Sequence, residues 1–547
     1  MFSLLSSSVL AILLSPLISL TSAQNTSTPI AHLPYGTFAG AYSPTYNLTH
    51  FRRIPFGAST AGPNRFRAPQ PPLPINGTYN SDRTFDMCPQ RTVNGSEDCL
   101  YLGLYSRPWT TASPLRPVLV TFYGGGFIRG DASMTIPPSG FPVLNASESN
   151  DYVVVYPNYR TNVFGFLPGR KIGESERVDL NPGLLDQQAA LLWVQKHIRH
   201  FGGDASNVVI WGQSAGGGSV VAQTIATGNK DKGLFKRAMV SSPFWPKTYR
   251  YDAPEAEAIF DAVSESVGCT GSADEVQCLQ KADLQQLRDV ALALTNSHVY
   301  NTSSFTWSPV IDTSFLTTPL STVIATASLN TDTILTSYNL HEGENFIPPG
   351  FSSNTTDSVG FNSSSASFDA WLSGFLPDFT ADDLIAVETL YPASGSAEEM
   401  HYNTTSIRAG LVLRDLVLAC PAYWLSSTAA ATAATAATAT VGGKGWVMEY
   451  TISPAKHASD TIYWNAINAV QKTDVLTYEA YTGAMASFVQ TGDPNQHKMT
   501  NASVVGVPGV GERKQFVVGK SGVAAGGIGM LEERCAFWLG MGGKASI

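Results

Sequence analysis

The sequence predicts an α/β fold, with a large central and mostly parallel sheet, helices on both faces and long loop insertions. Two observations carry this prediction. Short apolar runs at 118–122 and 152–156 are typical of buried strands, and residues 183–200 carry apolar side chains at helical spacing. Strands that alternate with helices favour a parallel sheet, in which ligands gather at the carboxyl ends of the strands.

The composition is that of a globular protein. Of 547 residues, 43% are hydrophobic, and the net charge of −9 is spread without long runs of one sign. This charge pattern excludes the basic footprint of a nucleic-acid-binding protein. Large α/β enzymes often run long as one unit, so we expect residues 24–547 to form a single catalytic domain.

The amino terminus is typical of a secretory signal. Residues 1–23 contain the apolar stretch 9–20, followed by the small residues Thr21, Ser22 and Ala23. A membrane anchor is the alternative, but the apolar stretch is too short to span comfortably and no basic residue flanks it. We therefore expect cleavage before Gln24, an extracellular protein and no stable membrane insertion.

Asn-x-Ser/Thr sequons support the same compartment, because such sites are glycosylated in secreted proteins and lie in surface loops. The ten sequons begin at Asn25, Asn47, Asn76, Asn94, Asn145, Asn301, Asn354, Asn362, Asn403 and Asn501.

The six cysteines indicate disulfides more than metal ligands, since no Cys-x-x-Cys or clustered histidine pattern accompanies them. Six cysteines allow fifteen pairings. Proximity in sequence favours Cys88 with Cys99 and Cys269 with Cys278, which leaves Cys420 for Cys535. No metal or cofactor is expected.

Ser214 lies in Gly212-Gln213-Ser214-Ala215-Gly216, directly after an apolar run at 208–211. A tight turn from strand to helix can hold such a serine above the sheet, and it needs small neighbours. A second glycine stretch, 124–126, also follows an apolar run. Together they indicate a serine hydrolase, although the pentad alone is weak evidence.

A serine hydroxyl needs an imidazole to take its proton and a carboxylate to orient that imidazole. His457 follows the apolar run 446–450 in a loop-like stretch and is the best-placed base, with His341 and His401 as rivals. His197 and His200 fall on the predicted helix. For the acid, Glu342, Glu344 and Asp332 all lie close to a short strand at 334–337, and position alone does not choose among them.

Further stretches make a family resemblance specific. They are 97–102 (Glu-Asp-Cys-Leu-Tyr-Leu), 123–127 (Tyr-Gly-Gly-Gly-Phe), 158–160 (Asn-Tyr-Arg), 201–204 (Phe-Gly-Gly-Asp) and 492–495 (Gly-Asp-Pro-Asn). The whole chain resembles type-B carboxylesterases, a group of the α/β-hydrolase fold that includes cholinesterases and fungal lipases. It looks most like the secreted fungal members.

The resemblance implies a catalytic triad in the order Ser214, Glu342, His457. It also implies an oxyanion hole formed by Gly125, Gly126 and Ala215, and its disulfides match the three cysteine pairs above. Asp460, three residues after the histidine, is expected to hold the loop and not to be catalytic. Phe244 and Trp245 resemble the family's acyl-pocket segment, and core packing is an equally good interpretation of both.

The resemblance also bears on substrate. In the family, the first disulfide closes a long loop that forms the lipase lid and carries the choline-binding tryptophan. Here Cys88 and Cys99 enclose only 89–98, without a tryptophan. A cholinesterase is therefore disfavoured, and so is a lipase unless another loop supplies a lid.

We therefore expect a secreted hydrolase of small-molecule carboxylic esters that works through an acyl-enzyme. A lipase acting on longer acyl chains is one alternative, and a non-catalytic binding or adhesion protein of the same fold is another. The natural ester, the oligomeric state and the conformation of the Ala/Thr run at 428–440 are left open.

Overall fold

The computed structural model describes residues 28–90, 95–132, 135–147, 151–298, 306–435, 444–498 and 504–547. The expected signal peptide and the sequons at Asn25, Asn94, Asn301 and Asn501 lie outside the described residues. Of the other six sequon asparagines, Asn362 is partly buried and the remaining five are exposed.

The strands of the described residues are numbered in chain order. They are β1 (Ile30–Leu33), β2 (Gly36–Ala39), β3 (Ala41–Ser43), β4 (Leu48–Pro55), β5 (Thr78–Asn80), β6 (Tyr101–Ser106), β7 (Arg116–Phe122), β8 (Val153–Pro157), β9 (Gly203–Gln213), β10 (Arg237–Ser241), β11 (Ile334–Asn339), β12 (Gly395–Ala397), β13 (Met400–Tyr402), β14 (Gly445–Tyr450), β15 (Lys514–Gly519) and β16 (Gly522–Gly527).

The α-helices are α1 (Phe141–Asn145), α2 (Asn162–Phe166), α3 (Arg170–Gly173), α4 (Pro182–His197), α5 (Ala215–Ile225), α6 (Pro254–Ser266), α7 (Glu275–Lys281), α8 (Leu284–His298), α9 (Leu320–Ala325), α10 (Ser365–Phe375), α11 (Ala381–Leu390), α12 (Thr405–Arg414), α13 (Cys420–Thr435), α14 (Thr461–Trp464), α15 (Val470–Thr473), α16 (Val475–Thr477), α17 (Gly483–Thr491), α18 (Gly529–Gly540) and α19 (Gly542–Ala545). Among the shorter turns, a 3₁₀-helix covers Glu342–Asn345 and a π-helical turn covers Asp415–Ala419.

The central sheet has eleven described strands in the order β16-β15-β14-β11-β10-β9-β7-β8-β6-β4-β3. Neighbours from β15 to β8 pair in parallel, and the strands at both edges pair antiparallel. Inner strands such as β8, with Val153-Val154-Val155, are fully buried and need no polar face, because helices cover them. The predicted mostly parallel sheet flanked by helices is confirmed.

The predicted helix at 183–200 is α4, which begins one residue earlier at Pro182 and continues as a 3₁₀-helix over Ile198–Phe201. Proline suits this first position, where its missing N–H costs no helical hydrogen bond. Helix α5 packs against β7, β9 and β10, and α13 packs against β11 and β14. The first part of the Ala/Thr run, up to Thr435, is helical, and residues 436–443 lie outside the description.

One helical stretch, Thr405–Ala431, is long and apolar enough to cross a membrane by length and composition, and the sequence reasoning did not single it out. Of its most apolar window, 94% is buried inside the protein. The burial identifies it as a core helix. Disulfides join Cys88 to Cys99, Cys269 to Cys278 and Cys420 to Cys535, and the last ties α13 to α18.

Candidate active site

Ser214 occupies the turn between the end of β9 and the start of α5, with φ 59° and ψ −128°. The turn is tight because β7 runs directly beneath it. A Cβ on Gly216 would lie 2.1 Å from the carbonyl oxygen of Phe122, so no larger residue fits there. The Ser214 N–H donates to the carbonyl of Ser241 at 3.1 Å, which fixes the turn against β10. A positive φ in a serine is a strained conformation that presents the side chain above the sheet.

His457 lies in the loop after β14, and its Nε2 is 2.8 Å from Ser214 Oγ. The loop is anchored by the His457 N–H, which donates to Asn345 Oδ1 at 3.2 Å. The ring of Phe346 meets the imidazole edge-on, with centroids 5.1 Å apart. The imidazole is therefore held in place to accept a proton from the serine hydroxyl.

Glu342 lies in the 3₁₀-turn after β11 and is fully buried. Its Oε1 accepts hydrogen bonds from the backbone N–H of Asn339 at 2.9 Å, from Asn339 Nδ2 at 2.8 Å and from the hydroxyl of Ser242. His457 Nδ1 lies 3.8 Å from this same oxygen, which is beyond hydrogen-bond distance. Within the described residues, neither His457 Nδ1 nor Glu342 Oε2 has a hydrogen-bond partner.

Helix α12 explains why glycine follows Glu342. A Cβ on Gly343 would lie 1.7 Å from the carbonyl oxygen of Gly410 on this helix. Any side chain at 343 would push the turn away from α12 and would move the carboxylate with it. The spacing Glu342-Gly343 therefore reflects close packing of the turn against a core helix.

The other candidates for the base and the acid have partners away from Ser214. His341 Nδ1 lies 2.6 Å from Glu344 Oε1, so these two pair with each other. His401 is exposed on β13, where its Nδ1 is 3.4 Å from Ser396 Oγ. Asp332 meets Lys444 at 3.4 Å on the surface. The structure brings only Glu342 and His457, of the candidates considered, together with Ser214.

The glycine stretch 124–126 follows β7 and lies against the serine. A Cβ on Gly124 would be 3.0 Å from the Cβ of Ser214. Gly125 and Gly126 both have positive φ, 116° and 66°, which turns their peptide groups in a way that other residues rarely allow. Ala215 opens α5, so its N–H belongs to the first helical turn, which has no intrahelical acceptor.

Asp460 is buried behind the histidine loop. Its carboxylate accepts hydrogen bonds from Trp464 Nε1 at 2.9 Å, the Tyr481 hydroxyl at 3.0 Å and Asn339 Nδ2 at 3.1 Å. Burial raises the pKa of Asp460, the hydrogen bonds from Trp464 and Asn339 oppose this rise, and the nearby charge of Glu342 adds to it. These contacts join the histidine loop to the acid turn through the shared amide of Asn339.

A buried ionic cluster supports the acid turn from behind. Arg414 Nη1 donates to the carbonyl of Leu340 at 3.0 Å, and Nη2 lies 2.7 Å from Asp415 and 2.9 Å from Glu398. Arg534 contacts both carboxylates at 2.5 Å. Burial alone would raise the pKa of Asp415, but the two arginines outweigh burial and lower it.

Glu449 on β14 borders this cluster and behaves differently. Burial, together with the charge of Glu398, raises the pKa of Glu449 to about 8. Its Oε2 accepts a hydrogen bond from Gln515 Nε2 at 2.8 Å. At neutral pH this side chain is therefore largely protonated.

A pocket of about 180 Å³ opens beside the serine. Its lining includes Gly124 and Gln213, which flank Ser214, and Trp464 from the segment after His457. Phe244 and Trp245, the predicted pocket residues, are fully buried and are not part of this lining. Within the described residues, no group of histidine, cysteine and acidic side chains could hold a metal ion.

The sequence reasoning missed Ser242 and Asn339, which hold Glu342. Ser242 directly follows β10 and Asn339 is the last residue of β11. These two strands are neighbours in the sheet, so the clustering of the two residues at one edge is a consequence of the topology. A signal was present, since each polar residue stands at or directly after the carboxyl end of an apolar strand. Without knowledge of strand order, that signal does not distinguish them from ordinary loop residues.

Comparison with known proteins agrees with this fold. Residues 27–538 match the model of the carboxylesterase family, and the chain therefore belongs to that family. It is a serine hydrolase of carboxylic ester bonds. Carboxylesterase patB of Aspergillus clavatus is 30% identical over 482 residues, which cover 85% of this chain and 80% of the relative. A secreted triacylglycerol lipase of Gibberella zeae is 30% identical over 345 residues, which cover 57% and 58%.

Solved structures show the α/β-hydrolase fold. The crystal structure of EstA of Aspergillus niger superposes with a TM-score of 0.80 at 24% identity, over 95% of this chain and 99% of that chain. A PNB esterase superposes with a TM-score of 0.71 at 24% identity, over 93% and 100%.

Proposed function

We propose that the protein is a secreted carboxylesterase in which Ser214, His457 and Glu342 form the catalytic triad. The observation that carries the proposal is the 2.8 Å distance between His457 Nε2 and Ser214 Oγ, at a strained turn beside three glycines. Residues 24–547 act as one catalytic domain.

In the acylation half-reaction, Ser214 Oγ attacks the ester carbonyl while His457 Nε2 takes its proton. The carbonyl oxygen becomes an oxyanion, which accepts hydrogen bonds from the N–H groups of Gly125, Gly126 and Ala215. Each such donor contributes about 3 to 4 kcal/mol to lowering the barrier. His457 then gives the proton to the departing alkoxide, which leaves as the alcohol.

Water hydrolyses the acyl-enzyme by the same route in reverse. His457 takes a proton from the water as it attacks, and returns a proton to Ser214 Oγ as the carboxylic acid leaves. Glu342 stabilises the imidazolium formed in each half-reaction. The 3.8 Å gap must close to a hydrogen bond for this role, and catalytic hydrogen bonds are often long in the absence of substrate.

Secretion rests on three features. The first 23 residues are typical of a signal peptide, three disulfides are formed, and three of the relatives are named as secreted lipases. Glycosylation at the sequon asparagines belongs to the same proposal.

The test is hydrolysis of p-nitrophenyl esters from acetate to palmitate by the secreted protein and by Ser214→Ala. We expect short-chain esters to be hydrolysed, Ser214→Ala to lose turnover, and a fluorophosphonate to label only the unmodified protein. A preference for palmitate would instead favour the lipase alternative. Failure of the fluorophosphonate to label Ser214, together with no hydrolysis, would favour a non-catalytic binding protein.

A further inference from the structure

We propose that the pocket beside Ser214 binds the alcohol part of the ester, and that this part is a compact one-ring aromatic alcohol carrying a second hydroxyl group. The inference rests on the proposed ester hydrolysis at Ser214. It adds the chemical class of the leaving group in this protein.

The position of the pocket indicates that it binds the alcohol part of the ester. His457 Nε2 must deliver its proton to the departing oxygen, so the leaving group lies on the histidine side of the serine. Gln213 lines the pocket, and its Nε2 is 3.4 Å from His457 Nε2. Thr461 and Trp464 also line it, and they belong to the helix that follows the histidine loop. The pocket is therefore next to the atom that protonates the leaving group.

The size and the lining of the pocket favour an alcohol with a single ring. The pocket has a volume of about 180 Å³, and an apolar cavity of about 150 Å³ is enough to hold benzene. Five aromatic residues line it: Phe122, Tyr123, Tyr156, Trp211 and Trp464. Trp211 and Trp464 meet edge to face, with centroids 4.9 Å apart, and such walls favour a ring that completes the same packing.

The aromatic walls are held by other parts of the protein, so they need little rearrangement on binding. Tyr123 stacks on Tyr159 with centroids 4.2 Å apart. Trp211 Nε1 donates to Ser241 Oγ at 3.1 Å, and Trp464 Nε1 donates to Asp460. A rigid pocket gains affinity for a rigid ligand, because neither loses much conformational freedom. A flexible alkyl alcohol would lack that advantage.

Polar groups in the pocket lining are the reason for proposing a second hydroxyl on the alcohol. Asp131, Gln213 and Thr461 line the pocket, and a carboxylate accepts a hydrogen bond from a ligand hydroxyl. A cationic alcohol fits less well. Asp131 is partly exposed, and the neighbour of the nucleophile is the neutral Gln213, so the pocket lacks the buried negative charge that would hold a desolvated cation.

The experiment holds the acyl group constant and varies the alcohol. The substrates are the acetates of ethanol, cyclohexylmethanol, benzyl alcohol and choline, and the monoacetates of the three benzenedimethanols. We expect kcat/KM for benzyl acetate to exceed that for ethyl acetate by about tenfold or more, and the best benzenedimethanol monoacetate to exceed benzyl acetate.

Two variants test whether the preference for aromatic alcohols arises in this pocket. Ser139 is exposed at the pocket rim, and Ser139→Phe should lower the benzyl-to-ethyl ratio about tenfold by filling the pocket. Asp131→Asn should lower the ratio of the best benzenedimethanol monoacetate to benzyl acetate about tenfold. The matched control is Ser328→Phe, the same change at an exposed serine in a different surface pocket, which should alter neither ratio.

The outcomes separate this inference from the proposed function. Hydrolysis of ethyl acetate without a benzyl preference, or with choline or cyclohexylmethyl acetate preferred, would overturn the inference and leave the esterase standing. A benzyl preference that survives Ser139→Phe would place the ring elsewhere and would also overturn it. Failure to hydrolyse any ester, p-nitrophenyl acetate included, would reject both.

Discussion

Glu342 and His457 lie 3.8 Å apart, measured from Oε1 to Nδ1, and three donors from Asn339 and Ser242 already occupy that oxygen. The carboxylate is therefore positioned by its own surroundings and not by the imidazole. Only a small movement of the imidazole or a rotation of the carboxylate is needed to bring Nδ1 to a carboxylate oxygen. This arrangement keeps the acid oriented before substrate arrives.

Glu342→Gln should reduce kcat by about a hundred- to ten-thousand-fold, because a neutral amide cannot stabilise the imidazolium and can favour the wrong tautomer. The measurement is steady-state hydrolysis of p-nitrophenyl acetate. Glu344→Gln is the matched control, since Glu344 pairs with His341 and not with His457. Equal losses in both variants would contradict the assignment of Glu342 as the acid.

Ser242→Ala should reduce kcat/KM about tenfold, since one hydrogen bond to a carboxylate is worth roughly 1.5 kcal/mol. In a Glu342→Gln background the same change should have little further effect, because it acts through Glu342. Ser426→Ala, at another fully buried serine, should leave the activity close to that of the unmodified protein. Additive losses from Ser242→Ala and Glu342→Gln would show that Ser242 does not act through the carboxylate.

Glu449 should make the free energy of unfolding depend on pH. Its pKa is about 8 in the folded protein against an ordinary value of 4.5, so between these pH values the folded state holds a proton that the unfolded chain releases. The free energy of unfolding should therefore fall as pH rises through this window, by about 1.4 kcal/mol per unit.

Denaturant titrations of Glu449→Gln between pH 5 and 9 check this expectation. The variant should lose that part of the pH dependence and should gain stability relative to the unmodified protein at the alkaline end. Glu176→Gln, at an exposed glutamate, is the control. An unchanged pH slope in Glu449→Gln would mean that Glu449 is ionised in the folded protein.

The three disulfides should differ in their effect on stability. Cys420 and Cys535 are 115 residues apart in sequence, whereas the other two pairs are separated by 11 and 9. Replacing both members of the long-range pair by alanine should cost about 4.7 kcal/mol, against about 3 kcal/mol for either short loop. Thermal unfolding under one set of conditions ranks the three double variants, and a smaller loss for the long-range pair would contradict the loop-entropy argument.

Local pattern was enough to predict β7, β8 and α4, because continuous apolar runs and helical spacing are properties of neighbouring residues. The choice between Glu342 and Glu344 was different. Both follow β11 within three residues of each other, and only the packing of Gly343 on α12 and the pairing of His341 with Glu344 separate them.

Contacts between segments that are distant in sequence could not be predicted from the sequence. The described pocket beside Ser214 is lined by aromatic residues from several strand ends and from α14. Those aromatic residues carry no local mark of their role. They meet because β7, β8 and β9 are neighbours in the sheet, which the strand order decides.

The positive φ of Ser214 implies a trade-off between stability and activity. Holding a residue with a side chain in this conformation costs about 1 to 3 kcal/mol, whereas glycine adopts it freely. A glycine at 214 would relieve that cost and remove the nucleophile in one step. Under the proposed mechanism, Ser214→Gly should therefore be inactive and at the same time more stable than the unmodified protein.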